Sequence, residues 1–164
     1  MFSYLNQSTS EDYWNNIGIR INARSTQLLG KQISFQLWET AGELRSHTLT
    51  TSCISGSNAF IIIMDLSNTS ATYWKNEIDK LLKDKTRTIL LIGNKADLQL
   101  ERMVTYEDAK RLADEWGSIY IETSAKTKYN VDKAFEVLIR SIANTIQNPN
   151  HFKNYWTFKL YEVG

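Results

Sequence analysis

Two stretches near the start of the chain alternate between apolar and polar residues. Residues 17–22 read Ile-Gly-Ile-Arg-Ile-Asn, and residues 33–38 read Ile-Ser-Phe-Gln-Leu-Trp. A turn at Leu29-Gly30-Lys31 separates them. Because successive side chains of a strand point to opposite faces, this period of two on both sides of a glycine turn predicts a β-hairpin.

Three later stretches are apolar without interruption. They are Ala59–Met64, Ile89–Ile92 and Ile119–Ile121. Short continuous apolar runs are typical of strands that are covered on both faces, as in parallel sheets. The pattern therefore predicts three buried parallel strands.

Three segments between and after these runs have apolar residues at the spacing of a helix face. Their apolar positions are Trp74, Ile78, Leu81 and Leu82; then Ala109, Leu112, Ala113 and Trp116; then Val131, Ala134, Phe135, Leu138 and Ile142. Thr105 and Asp108 form a capping-box pattern before the second helix, and Gly117 is placed to end it. Alternating strands and helices predict a three-layer α/β domain, which binds ligands beyond the carboxyl ends of its strands.

Length and composition indicate one domain over residues 1–146, followed by an aromatic tail over residues 147–164. The tail carries Phe152, Tyr155, Trp156, Phe158 and Tyr161 between polar residues. This spacing leaves three interpretations open: a strand, a docking tail or non-native read-through.

Charge, cysteine content and hydropathy narrow the function classes. A formal net charge of +1 gives no electrostatic reason to expect nucleic acid as a partner. The single cysteine, Cys53, excludes an internal disulfide framework and favours a reducing, cytoplasmic location. The run Ala59–Met64 is too short to span a bilayer, and no prenylation cysteine lies near Gly164, so no direct membrane anchor is expected.

Three short motifs stand where predicted strands end. They are Trp38-Glu39-Thr40-Ala41-Gly42-Glu43, Asn94-Lys95-Ala96-Asp97 and Glu122-Thr123-Ser124-Ala125-Lys126. In this order and spacing they resemble the switch II, guanine-specificity and SAK elements of small GTPases of the Ras superfamily, closest to the Rab family. The resemblance implies a P-loop NTPase-like α/β domain with a mostly parallel sheet, and it implies GTP or GDP with Mg²⁺ as ligands.

The resemblance implies that two loops bind the guanine base. Asp97 would accept from the guanine N1 and N2 donors, Asn94 would brace the loop, and the Lys95 stem would lie along the ring. Adenine lacks that pair of donors, so a buried carboxylate there would reject it. Taken alone, the same residues are equally consistent with an Asx turn into a solvent loop.

The second half of the base site would be Ser124-Ala125-Lys126. In the family the Ala125 position offers its N–H to guanine O6, and the stem at Lys126 covers the other ring face. The thirty-residue interval from Asn94 to Ser124 equals what a Rab-like chain should have, which weakens the alternative of a chance serine and lysine.

At the phosphate end the chain departs from the family pattern. The resemblance gives Gly42 a γ-phosphate contact, and it gives Glu39 an Mg²⁺ contact through water, on a longer arm than the family's Asp. Glu43 replaces the glutamine that orients the attacking water, and Asn16 replaces a Mg²⁺-binding threonine. Both residues have an alternative role outside catalysis and metal binding. Glu43 could be a solvated switch residue, and Asn16 could be a turn residue.

No G-x-x-x-x-G-K-[ST] segment occurs in the sequence. On the resemblance the first strand and this phosphate loop are missing, so nucleotide binding is expected to be weak. Two functions stay open. One is a Rab-like GTPase that binds and hydrolyses GTP as a switch in vesicle transport, with Rab-type effectors and regulators and peripheral association with endomembranes. The other is a non-catalytic interaction module.

Overall fold

The computed structural model describes residues 19–28, 31–40, 59–68 and 88–145. The predicted helix around Trp74 to Leu82, the turn residues Leu29 and Gly30, and the tail 147–164 lie outside these ranges. The division into residues 1–146 and 147–164 stays a prediction for the same reason.

The predicted hairpin is confirmed. Strands β1 (Ile19–Leu28) and β2 (Lys31–Thr40) are antiparallel, and Leu28 pairs with Lys31 across the turn. The buried face belongs to β2, where residues 33, 35 and 37 are buried. Ile21 of β1 is 51% exposed, so its side chain does not belong to the buried core.

The three continuous apolar runs form the predicted parallel sheet. Its strands are β3 (Ala59–Asp65), β4 (Thr88–Asn94) and β5 (Ile119–Glu122), in the order β3-β4-β5. Both neighbouring pairs are parallel. In β3 every residue from Ala59 to Met64 is buried, as expected for a strand that is covered on both faces.

Two described helices cover opposite faces of this sheet. Helix α1 (Tyr106–Glu115) packs with residues such as Ile62 and Leu91, whereas α2 (Val131–Thr145) packs with residues such as Ile61. Because neighbouring strand residues face opposite ways, Ile61 and Ile62 belong to different cores. The described elements therefore make a helix, sheet and helix arrangement in three layers.

The ends of α1 follow its sequence signals. Thr105 is the N-cap, and its Oγ1 accepts from the backbone N–H of Asp108 at 3.1 Å. After the helix, Gly117 has a φ of +62°, a left-handed conformation that glycine adopts without steric cost. Helix α1 thus begins and ends where the sequence predicts.

The hairpin and the parallel sheet are separate sheets among the described residues. They nevertheless contribute to one buried cluster, which contains Phe35 and Leu37 of β2, Ile61 of β3, and Phe135 and Leu138 of α2. Thus α2 belongs to a core that both sheets share, and no described strand lies between β2 and β3.

Candidate functional site

The loops that follow β4 and β5 are joined through their backbones at one edge of the parallel sheet. The N–H of Ala96 donates to the carbonyl of Thr123 at 3.0 Å, and the N–H of Thr123 donates to the carbonyl of Gly93 at 2.8 Å. Parallel strands present their carboxyl ends at the same edge. The two predicted base-binding motifs are therefore adjacent in space.

Asn94 links the two loops through its side chain. Its Oδ1 accepts from the backbone N–H of Ala125 at 3.1 Å and from Oγ1 of Thr123 at 3.3 Å. One amide oxygen therefore fixes residues that lie about thirty positions away in sequence. Asn94 therefore bridges the loop after β4 and the loop after β5.

Ser124 orients the carboxylate of Asp97. Its Oγ donates to Oδ1 of Asp97 at 2.6 Å, and the same Oγ accepts from the N–H of Thr127 at 3.0 Å. Ser124 is only 1% exposed, so the donor of this bond is buried in the protein. The Ser124 hydrogen bond lowers the pKa of Asp97 below its usual value, with smaller contributions from Lys126 and Lys95. Asp97 is thus an ionised hydrogen-bond acceptor at neutral pH.

Lys95 pairs with a residue that the sequence analysis did not single out. Its Nζ lies 2.6 Å from Oδ2 of Asp65, at the end of β3, and its backbone has a φ of +63°. Burial alone would raise the pKa of Asp65, but hydrogen bonds from Lys95 and Ser67 outweigh it and lower that pKa. A signal was present in the sequence, because Asp65 ends one buried strand and Asn94 ends its parallel neighbour.

Glu122 is the centre of a second network that sequence reasoning missed. Arg102 binds its carboxylate through both terminal nitrogens, with Nη1 3.1 Å from Oε2, and the hydroxyl of Tyr120 donates to Oε1 at 2.9 Å. Asn130 donates to the Glu122 carbonyl at 3.1 Å. Burial raises the pKa of Glu122, yet the Arg102 and Tyr120 hydrogen bonds lower it on balance. This network anchors the start of the second loop.

Gly93 is required by close packing at the same strand end. A Cβ at this position would lie 2.6 Å from the Tyr120 hydroxyl and 2.9 Å from Cδ2 of Leu66. Only glycine lets β4 run this close to β5 and to the residue after β3. The glycine therefore sets the position from which the Asn94 loop starts.

An apolar cavity opens next to these loops on the α2 side of the sheet. Its walls include Ile61 and Ile63 of β3 and Phe135 of α2, and its polar rim includes Asn94 and Thr123. The cavity thus connects the edge of the sheet near β3 with the loop that Asn94 braces.

The structure brings together the residues of the predicted base site, whereas most of the predicted phosphate end lies outside the described residues. Lys126 is exposed near Asp97, and Tyr129 of the same loop is 57% exposed. The backbone of Glu39 lies in β2, while its side chain, Asn16, Gly42 and Glu43 lie outside the described residues. In the described part of the chain, no three metal-ligating side chains cluster. The phosphate and metal roles stay predictions.

Two residues on one face of the hairpin pair across its strands. Trp38 is half-buried, and it pairs with the exposed Ile21 across the hairpin. Cys53 lies outside the described residues.

Comparison with known proteins decides the family. The Ras family model matches residues 1–144. The chain belongs to the Ras family. It is 37% identical to the Ras-related protein RIC1 of Oryza sativa subsp. japonica over 148 residues, which is 88% of this chain and 73% of that protein.

Two further relatives come from plants. The Ras-related protein RABD2a of Arabidopsis thaliana is 37% identical over 87% of this chain and 71% of its own length. The GTP-binding protein YPTM2 of Zea mays is 36% identical over the same shares of the two chains.

These matches confirm the expectation of a Rab-like small GTPase with the α/β fold of P-loop GTPases. Members of the Ras family bind GTP or GDP with Mg²⁺ in general. No helix within the described ranges is long and apolar enough to cross a membrane.

Proposed function

We propose that this chain recognises a guanine nucleotide through the loops after β4 and β5 and acts as a Rab-like GTPase switch in vesicle transport. The observation that carries the proposal is the contact between Asn94 and Ala125, which holds the two loops together. Ser124 also orients Asp97, which supports a carboxylate that is held in one position before a ligand arrives.

The pocket would distinguish guanine from adenine by hydrogen bonding. The carboxylate of Asp97 accepts only, which suits the neighbouring N1 and N2 donors of guanine and leaves adenine without a matching pair. An unmatched polar group at such a site costs roughly 1 to 3 kcal/mol. The N–H of Ala125 donates to Asn94 in the structure, so it would meet the guanine O6 only by sharing or releasing that bond. The stems of Lys95 and Lys126 would flank the ring.

The phosphate end is the weaker part of the proposed site. Gly42 would offer its N–H to the γ-phosphate, Glu39 and Asn16 are the candidates for Mg²⁺ contact, and Glu43 stands where the water-orienting residue is expected. An ionised glutamate only accepts hydrogen bonds and adds negative charge near phosphate. Because the sequence has no G-x-x-x-x-G-K-[ST] segment, we expect weak nucleotide binding and slow hydrolysis in these 164 residues.

Base selectivity tests the proposal directly. A fluorescent GDP analogue is titrated into the full chain with Mg²⁺, and unlabelled GDP and ADP compete for it. GDP should compete at least about tenfold better than ADP, because only guanine matches the Asp97 carboxylate. Equal competition by the two nucleotides would contradict the base site.

The substitution Asp97→Asn sharpens this test. An amide can donate to the C2 carbonyl of xanthine, where guanine has an amine, so preference should shift from GDP to xanthosine diphosphate. The matched control is Asp132→Asn, which changes an exposed carboxylate on α2 and should leave the preference unchanged. An unchanged preference for GDP in the Asp97 variant would remove Asp97 from the site.

A second candidate function is a non-catalytic interaction module of the same fold. The observation that favours it is the 2.6 Å pair between Lys95 and Asp65, which engages the lysine that should otherwise lie along the base. Micromolar, Mg²⁺-dependent binding of the GTP analogue by the 164-residue chain would exclude this alternative. No detectable binding, together with a cooperative thermal melt, would favour it.

The proposed partners are the effectors and regulators of Rab-like proteins. The exposed Ile21 and its cross-strand neighbour Trp38 lie on the outer face of the hairpin, where a protein partner has access. We also propose a cytoplasmic location with peripheral association with endomembranes, in keeping with a role in vesicle transport.

A further inference from the structure

Asp65 ends β3 next to the candidate base site, although it belongs to neither of the two loops of that site. In the register of the parallel pair, Asp65 lies opposite Asn94, the residue before Lys95. The N–H of Leu66 donates to the carbonyl of Asn94 at 3.0 Å. The end of β3 and the start of the Asn94 loop are therefore joined through the backbone.

Both oxygens of the Asp65 carboxylate have a partner. Oδ1 accepts from the backbone N–H of Ser67 at 2.8 Å and from the Ser67 hydroxyl at 2.6 Å. Oδ2 lies 2.6 Å from Nζ of Lys95. Because Ser67 holds one oxygen, the carboxylate is kept in one orientation, in which its other oxygen meets the lysine.

Lys95 is held at both of its ends. Its backbone has a φ of +63°, a left-handed conformation that is uncommon for a residue other than glycine, and its carbonyl accepts from the N–H of Leu98 at 3.0 Å. The side chain is 49% exposed, yet its ammonium group is fixed at Asp65. The methylene stem therefore runs between a fixed backbone and a fixed charge.

This restraint matters because a lysine stem is long and flexible. Such a side chain loses much of its conformational freedom when a ligand orders it. If the stem is ordered before the ligand arrives, binding no longer carries that cost. An exposed ion pair, by contrast, contributes little to folding stability. The pair between Lys95 and Asp65 can therefore contribute more to binding than to stability.

We propose that Asp65 is a positioning residue of the base site, which holds the ammonium group of Lys95 so that the lysine stem lies in one place against the purine ring. The inference rests on the proposed function, since it needs a nucleotide base beside Lys95. Asp65 does not contact the base, and the choice between guanine and adenine stays with Asp97. The non-catalytic alternative expects the opposite effect, because there the pair withholds the lysine.

The substitution Asp65→Asn in the full chain tests the direction of the effect. Asparagine can still accept from Ser67, but it turns an amide donor towards Lys95. Competition by GDP against a fluorescent GDP analogue with Mg²⁺ should become about 3- to 10-fold weaker, which corresponds to the cost of ordering one long side chain. Unchanged binding would overturn the proposal, and tighter binding would show that the pair withholds the lysine.

The matched control is Asp114→Asn. It removes the carboxylate of another exposed pair with a lysine, Lys110 on α1. This substitution should change the affinity for GDP less than about twofold, because α1 does not supply the residues of the base site. Equal weakening by the two substitutions would contradict a specific role of Asp65.

A double-mutant cycle shows whether Asp65 acts through Lys95. Lys95→Met removes the ammonium group and keeps an unbranched apolar stem. In that background Asp65→Asn should change GDP binding less than about twofold. The same weakening in both backgrounds would overturn the proposal, since Asp65 would then act through the fold as a whole. The preference for GDP over ADP should be the same with and without Asp65→Asn, and a lost preference would also overturn it.

Nuclear magnetic resonance of the unchanged chain without nucleotide keeps the test decisive if Asp65→Asn does not fold. The Hε protons of Lys95 should have separate chemical shifts because the stem is fixed, with the exposed Lys133 of α2 as the reference for an averaged signal. Averaged shifts for Lys95 would overturn the proposal. Equal competition by GDP and ADP in the unchanged chain would contradict the base site and this inference together. A GDP-selective chain that Asp65→Asn does not weaken would overturn the inference alone.

Discussion

The parallel sheet and the hairpin use apolar residues in different ways. In β3 all six residues from Ala59 to Met64 are buried, whereas β2 buries only alternate residues such as Phe35 and Leu37. In β1 the isoleucine at position 21 is half exposed. The sheet that carries the candidate site is therefore buried on both faces, while the hairpin covers the core with one face and exposes Ile21 on the other.

This difference explains why the candidate base-binding loops, which follow β4 and β5, lie at the edge of the parallel sheet. Asn94 and Glu122 each end a strand of the parallel sheet, and backbone bonds between the loops hold them at one edge. Trp38 and Ile21 lie instead on a two-stranded ribbon, where they are paired across the strands. The atoms that would contact a small ligand are thus held by the parallel sheet, whereas the exposed part of the hairpin offers only a surface.

The largest expected effect is the loss of an interior side chain from β3. Ile61→Ala should cost about 2 to 5 kcal/mol of unfolding free energy, because Ile61 is fully buried and the substitution leaves a cavity. Ile21→Ala in the hairpin should cost less than about 0.5 kcal/mol, since Ile21 is half exposed. Urea unfolding of both variants measures the two costs, and similar values would remove the contrast between the two regions.

Next in size is the close approach at Gly93. Gly93→Ala should cost about 1 to 3 kcal/mol, because the added methyl group would meet the Tyr120 hydroxyl and Leu66. Tyr120→Phe removes that hydroxyl, so the cost of Gly93→Ala should be smaller in a Tyr120→Phe background. A double-mutant cycle by thermal unfolding measures the coupling, and additive effects would show that the hydroxyl is not the obstacle.

The Glu122 network predicts a pH dependence of stability. Glu122→Gln should cost about 1 to 3 kcal/mol near neutral pH, because it removes a charged partner of Arg102 and Tyr120. The exposed pair of Glu136 and Arg140 provides the control, and Glu136→Gln should cost less than about 0.5 kcal/mol.

The direction of this pH effect follows from the lowered pKa of folded Glu122. Its stabilising contribution is complete above the usual glutamate value of 4.5 and is lost as the pH falls through the folded pKa. Urea unfolding from pH 6 to about pH 3 should therefore show a shallower loss of stability in Glu122→Gln than in the unchanged chain. Identical slopes would mean that Glu122 does not carry this dependence.

The smallest expected effect concerns the start of α1. Thr105→Ala removes the side-chain oxygen that accepts from the Asp108 N–H and should cost about 1 kcal/mol. Thr105→Ser keeps the acceptor and should cost only a few tenths of that amount. Thermal unfolding distinguishes the two, and an equal loss in both variants would show that the cap hydroxyl is not responsible.

Much of the described fold followed from residue patterns. Continuous apolar runs predicted β3, β4 and β5, and helical spacing with Thr105 and Gly117 predicted α1. The side-chain contacts could not be predicted in the same way. The contact of the Lys95 Nζ with Asp65, for example, arises because two parallel strands bring their ends together.

The sequence by itself located two motifs directly after buried strands, at residues 94–97 and 124–126. It could do so because the spacing of residues and the ends of apolar runs are local properties of the chain. Only the tertiary structure decided which atoms hold these loops. Asn94 reaches Ala125, Ser124 reaches Asp97, and Arg102 reaches Glu122. Such contacts join residues that are distant in sequence, and their geometry depends on packing that no single segment specifies.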